Sequence, residues 1–124
     1  MSTCLNDVAS AARLAAGLAP SQQTANVNGS TIDMIDADGP CFAVQHVGAV
    51  SGGVTVEGRI EESASGSSWS AISGATFTAV TTANNVQVIT FTRTARYVRW
   101  AADIDGETPT AQVAVLIGEQ KKTI

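Results

Sequence analysis

From Thr24 onward the chain is cut into short runs of period two, each ended by a turn signal after about eight to twelve residues. "VTVEGRIEE" is the plainest case. Val54, Val56, Gly58 and Ile60 share one face, while Thr55, Glu57, Arg59 and Glu61 share the other. Side chains alternate across a strand, so such a run buries one face and wets its opposite. Upstream, "TANVNGSTIDMIDADG" reads as two strands around Asn28-Gly29 with a second turn at Asp38-Gly39. "CFAVQHVGAV" is nearly all apolar, as expected of a strand covered on both faces. Downstream come "ATFTAVTT", a turn at Asn84-Asn85, "VQVITFTRTA", "RYVRWAADI", the turn "IDGETPT" and a last strand "AQVAVLIGEQ". The pattern predicts an all-β fold, an antiparallel β-sandwich or jelly-roll-like domain of about seven to nine short strands over residues 24–118.

The ends read differently. "LNDVASAARLAAGLAP" spaces Leu5, Val8, Ala12, Ala15 and Leu18 at roughly helical intervals, with Asn6 or Asp7 as a cap and Pro20 as a stop. Its apolar face is mostly alanine and docks weakly, so residues 1–23 are expected to be a short helix or an arm that orders against a neighbour. Residues 119–124 form a charged tail.

Composition narrows the function classes. A chain of 124 residues builds a single core. Its 44% hydrophobic and 15% charged content is that of a globular protein rich in Thr, Ser, Val, Ala and Gly. The net charge is −4, and the seven basic residues are scattered, which argues against nucleic acid as a partner. No apolar run is long enough for a membrane span, and the N-terminus lacks a secretory layout, so synthesis in the cytoplasm is expected. Cys4 and Cys41 form no C-x-x-C pair, and two free thiols are expected rather than a disulfide or a metal site.

Catalysis needs a base, nucleophile or metal within mutual reach. The single histidine, His46, sits inside an apolar strand and reads as a partly buried structural side chain. No serine occupies a G-x-S-x-G turn, and Glu57 and Glu61 belong to a wet strand face, so neither a nucleophile nor a carboxylate pair stands out. "DMIDADG" and "ADIDGE" resemble fragments of calcium loops, but Met34 and Gln45 stand where acids would be needed. The expectation is a protein without enzymatic activity, metal or cofactor. Trp69, Tyr97 and Trp100 could stack on a sugar, although a chain with so few rings needs most of them for its core.

The stretch "VTVEGRIEESASGSSWSAISGATF" carries Glu62, Ser63, Gly66, Trp69, Ile72, Gly74 and Ala75 at the spacing of a strand, a glycine turn, a Trp and an Ile-x-Gly-Ala tail. With "TANVNGSTIDM" and "ARYVRW", it resembles small β-sandwich virion proteins of tailed bacteriophages over about residues 20 to 118. Ala64-Ser65 depart from the acidic residues usual there. The tract is expected to be a hairpin in which Gly66 permits the reversal and Trp69, with Ile72, folds back as a buried pin.

The resemblance implies a capsid decoration (cement) protein located on the capsid surface of the virion. Its partners would be the major capsid protein and copies of itself, as a homo-oligomer matching a trimeric lattice position. The N-terminal segment would supply the contact through Leu5, Val8, Arg13, Leu14 and Leu18. Deleting residues 1–23 is then expected to leave a folded domain unable to bind capsids. The alternatives are a head-fibre, neck or tail component, or a carbohydrate-binding module using Tyr97 and Trp100.

Overall fold

A computed structural model describes residues 12–35 and 37–121. It is all-β: nine strands in two antiparallel sheets that face each other across one core. In chain order they are β1 (Ala12–Gln23), β2 (Val27–Asn28), β3 (Ile32–Asp33), β4 (Ala37–Ser51), β5 (Thr55–Ser63), β6 (Ser70–Thr76), β7 (Asn85–Phe91), β8 (Tyr97–Asp105) and β9 (Thr110–Lys121). The first sheet runs β1-β9-β4-β7. The second runs β2-β8-β5-β6, with β3 also paired to β8. The expected sandwich is thus the observed fold.

Alternation decides what each strand contributes. From β4 and β9 of the first sheet, Cys41, Ala43, Val47, Val113, Val115 and Ile117 turn inward. Val56, Ile60, Val98, Trp100 and Ile104 meet them from β5 and β8 of the second. Burying this apolar surface is the main driving force for joining the sheets. One polar contact crosses the interior, where the Trp100 indole N–H donates to Gln45 Oε1 at 3.0 Å. Gly58 makes room for it, since a Cβ there would stand 2.0 Å from Gln45 Oε1 and 2.7 Å from Trp100 Nε1.

A second polar group closes one end of the first sheet. Glu119 is buried and receives the Arg93 guanidinium at 2.9 Å. Arg93 also donates to the carbonyls of Met34, Ala37 and Ala95, so one side chain ties the turn after β7 to β9, to the start of β4 and to the residue after β3. The Cys41 thiol donates to Glu119 Oε2 at 3.2 Å. Burial, and then that bond to a carboxylate, pushes the thiol up to about 12. It is a free cysteine.

Several sequence expectations change. Residues 12–23 are neither helix nor arm but the strand β1, paired with β9 from Ala12↔Gln120 to Gln23↔Ala111. The helical spacing of apolar residues loses to a long open partner strand, and two register shifts, at Ala16/Leu18 and Leu18/Ser21, absorb the mismatch. Residues 1–11, with Leu5 and Val8, lie outside the described residues. The supposed tail begins inside β9. Asp38-Gly39 is a bulge within β4 instead of a turn, with Gly39 at φ 105. β6 starts within the serine tract, ahead of "ATFTAVTT", and Phe77 and Val80 instead bond individually to β5 backbone.

Candidate functional site

The outward faces of the two sheets differ in chemistry. On the second sheet, Arg59 and Arg99 lie beside Glu61, Glu57 and Asp103. Arg99 meets Glu61 at 2.8 Å, Arg59 meets Glu61 at 3.0 Å, and Arg59 reaches Asp103 at 3.4 Å. Glu61 is more enclosed than its place on a wet strand face predicts. Burial alone would raise its pKa, but the hydrogen bonds from Arg99 and Arg59 outweigh that and hold it below its ordinary value. Two of the three carboxylates on this face are thus paired, while Glu57 is exposed opposite Asp103.

Among the described residues the first sheet's outer face presents no charged side chain in the rows that follow. Strand register stacks it in three rows. Leu14, Gly118, Phe42 and Thr90 form one, Ala16, Leu116, Val44 and Val88 the next, and Ala114, His46 and Val86 the third. Leu14 is 56% exposed, Val86 60%, Val88 62% and Leu116 46%. The Phe42 ring packs on Gly118, where a Cβ would stand 2.4 Å from it and 3.0 Å from Leu14 Cδ2. Four strands at about 4.8 Å spacing and three rows about 7 Å apart make a smooth apolar surface of about 400 Å². Beside it, Pro20, Ser21, His46, Gly48 and Gln112 line a shallow pocket of about 130 Å³.

This surface absorbs part of the expected contact set. Of the five N-terminal residues singled out, Leu14 belongs to the exposed face, Leu18 packs against the core and Arg13 is half-buried with its guanidinium 3.7 Å from the Met34 sulfur. The "CFAVQHVGAV" run is apolar on two faces, but among the described residues only the inner one is buried. Phe42, Val44 and His46 look outward, so His46 is exposed and not the partly buried side chain expected. The clue to this surface was therefore in the sequence as a strand with more apolar positions than one core can use.

The rings also exchange roles. Trp69 is half-buried and stacks under the Arg99 guanidinium at 4.4 Å, so it is not the expected plug. It precedes β6 and reaches over the charged outer face, while Ile72 two residues into the strand points into the core. Gly66 does make the turn, at φ 85, and the Ser63 hydroxyl accepts the amides of Ser65 and Gly66 at 3.2 and 2.8 Å. Trp100 is fully buried, which withdraws its ring from any sugar, and Tyr97 stands alone as a half-exposed ring beneath Arg96. The structure does not bring Trp69, Tyr97 and Trp100 together as one platform. Asp33, the first acid of "DMIDADG", is occupied by Arg96 at 2.7 Å.

No family model and no curated protein matches the chain. Among solved structures, the crystal structure of PBSX exported protein XepA superposes with a TM-score of 0.62 at 16% identity. The match covers 91% of this chain and 38% of that one, so the chain spans well under half the length of the protein it resembles. At this identity the likeness is one of fold.

Proposed function

We propose that the protein is a non-enzymatic virion structural protein, a capsid decoration protein that binds the major capsid lattice through the outer face of its first sheet. The observation that carries this is the uncharged three-row surface, which exposes leucine and valine on a chain whose opposite face is charged and laced with ion pairs. Contiguous apolar surface of this kind marks an interaction site. Further support comes from the resemblance of the hairpin sequence to phage virion sandwiches, and the fold is one shared with PBSX exported protein XepA.

The size of the face suits a repeated contact. About 400 Å² is half of the roughly 800 Å² per partner found in stable interfaces, so one copy alone binds weakly. A capsid offers the same site many times, and linked copies gain by effective concentration what each lacks in area. Position in the head, neck or tail is a matter of which lattice presents the complementary surface.

The test is co-sedimentation with capsids assembled from the major capsid protein of the same genome. Leu116→Glu combined with Val44→Glu should leave a folded sandwich and reduce retention more than tenfold, whereas Arg59→Ala on the other sheet should leave it unchanged. Retention of the double variant at the wild-type level rejects the face. Failure of the wild type to bind rejects the decoration role. Because β1 is part of the first sheet, the informative truncation is residues 1–11 rather than 1–23.

A further inference from the structure

We propose that β7 is a seam for self-association, along which two copies of the chain pair antiparallel about a two-fold axis. A strand at the edge of a sheet presents unpaired N–H and C=O groups, and native proteins blunt such edges with proline, charge, bulges or shortness. In this sandwich the guards can be checked edge by edge. β1 carries Pro20 and two register shifts, and its Gly17 carbonyl accepts the Ser30 amide at 2.8 Å. β2 and β3 have two residues each, and Asp33 of β3 is held in an ion pair with Arg96. β6 loses register against β5 between Arg59 and Glu61 and contains Gly74 at φ 80.

β7 has none of these. It pairs with β4 at seven consecutive positions without a shift, from Phe91↔Cys41 to Asn85↔Val47. Its sequence, "NVQVITF", holds no proline, glycine or charge, and Val86 and Val88 are the two most exposed large apolar side chains among the described residues. No Asp, Glu, Lys or Arg occurs anywhere between Glu62 and Arg93. Among the described residues β7 ends its sheet, with no backbone hydrogen bond on its outer side. A regular, apolar, uncharged edge of this length is a template for another strand.

Two arguments make that strand a second copy of this one. Joining different edges would build a ring or filament, but this requires two open edges of matching length, and among those described β1 offers only Ala12–Ala16 ahead of its register shifts whereas β7 is regular throughout. A single open edge is satisfied by isologous pairing with itself. Each copy also carries a net charge of −4, so self-contact costs least where charge is absent, and β7 lies within the longest uncharged stretch. The register that uses all seven residues sets Val88 opposite the partner's Val88 and Val86 opposite the partner's Thr90. The first sheet then continues as eight strands, and the two outer faces merge into one apolar surface of about 800 Å². The inference is independent of what that surface binds.

Light scattering of the full chain in the absence of capsids tests it. The expected mass is twice the 12.7 kDa of one chain, and Val88→Lys should halve it with an unchanged circular dichroism spectrum. In a Cys4→Ser background, where Cys41 is buried, Val88→Cys should oxidise to a cross-linked dimer at least tenfold more completely than Leu116→Cys, since directly opposed strand residues fall within disulfide reach. A single-chain mass at about 100 μM overturns the proposal, as does a mass of three or more chains. Equal or stronger cross-linking at Leu116→Cys also overturns it, because that result means contact face to face instead of edge to edge.

Discussion

Two tryptophans separated by only thirty residues have opposite fates, and the difference is set by parity and by what lies across from each. Trp100 points inward from β8, is fully buried and bonds to Gln45 through the space left by Gly58. Trp69 sits ahead of β6 and covers a guanidinium on the outside. Trp100→Ala therefore empties core volume and strips a buried amide of its partner, at a cost of about 3 to 5 kcal/mol. Trp69→Ala loses partial burial and a cation-π contact, about 1 to 2 kcal/mol. Urea titration of both variants checks this, and a larger loss at Trp69 would place that ring in the core after all. The sequence could not distinguish the two rings, because a tract of serine and glycine offers no alternation from which to read a facing direction.

At the scale of the element, the turns and inner faces of β5, β8 and β9 were legible because hydrophobic alternation and the Gly52-Gly53 and Asp105-Gly106 signals agree. β1 was not legible. Alanine-rich sequence is compatible with helix, and only β9, nearly a hundred residues away, supplies the hydrogen bonds that make it a strand. The outer face of the first sheet was missed for a related reason. A run that is apolar throughout predicts a strand covered on both faces, whereas the described residues cover only one. The turn between β7 and β8 shows how sheet edges are held together, since Glu62 accepts the amides of Thr94 and Ala95 and the Thr94 hydroxyl. Burial opposes ionisation of Glu62, but these bonds prevail and lower its pKa, as the Arg99 and Arg59 bonds do for Glu61. Carboxylates with lowered folded values stabilise the fold fully above their ordinary value of 4.5, and that contribution is lost as pH falls through the lowered values. Melting temperature should thus decline below about pH 4.5, and Glu62→Gln should flatten the decline; an equally steep profile in the variant would separate acid sensitivity from this turn.

For the molecule as a whole, the sandwich segregates its chemistry by side. Ion pairs occupy one broad surface and mostly apolar side chains the other, so under the proposed function attachment and solubility would fall to different sheets. Attachment through the uncharged side should be indifferent to ionic strength. Capsid retention measured between about 0.05 and 0.5 M salt is expected to hold steady or rise, since screening weakens only charged contacts. A steep fall with salt would shift the docking surface to the Arg59 and Arg99 side.

The Phe42 ring resting on Gly118 ties an inaccessible position to the quality of an exposed one. Any side chain at 118 would push the ring off β9 and raise a ridge on that face. That position is therefore open to the same selection as the surface above it, although nothing outside the protein ever touches it.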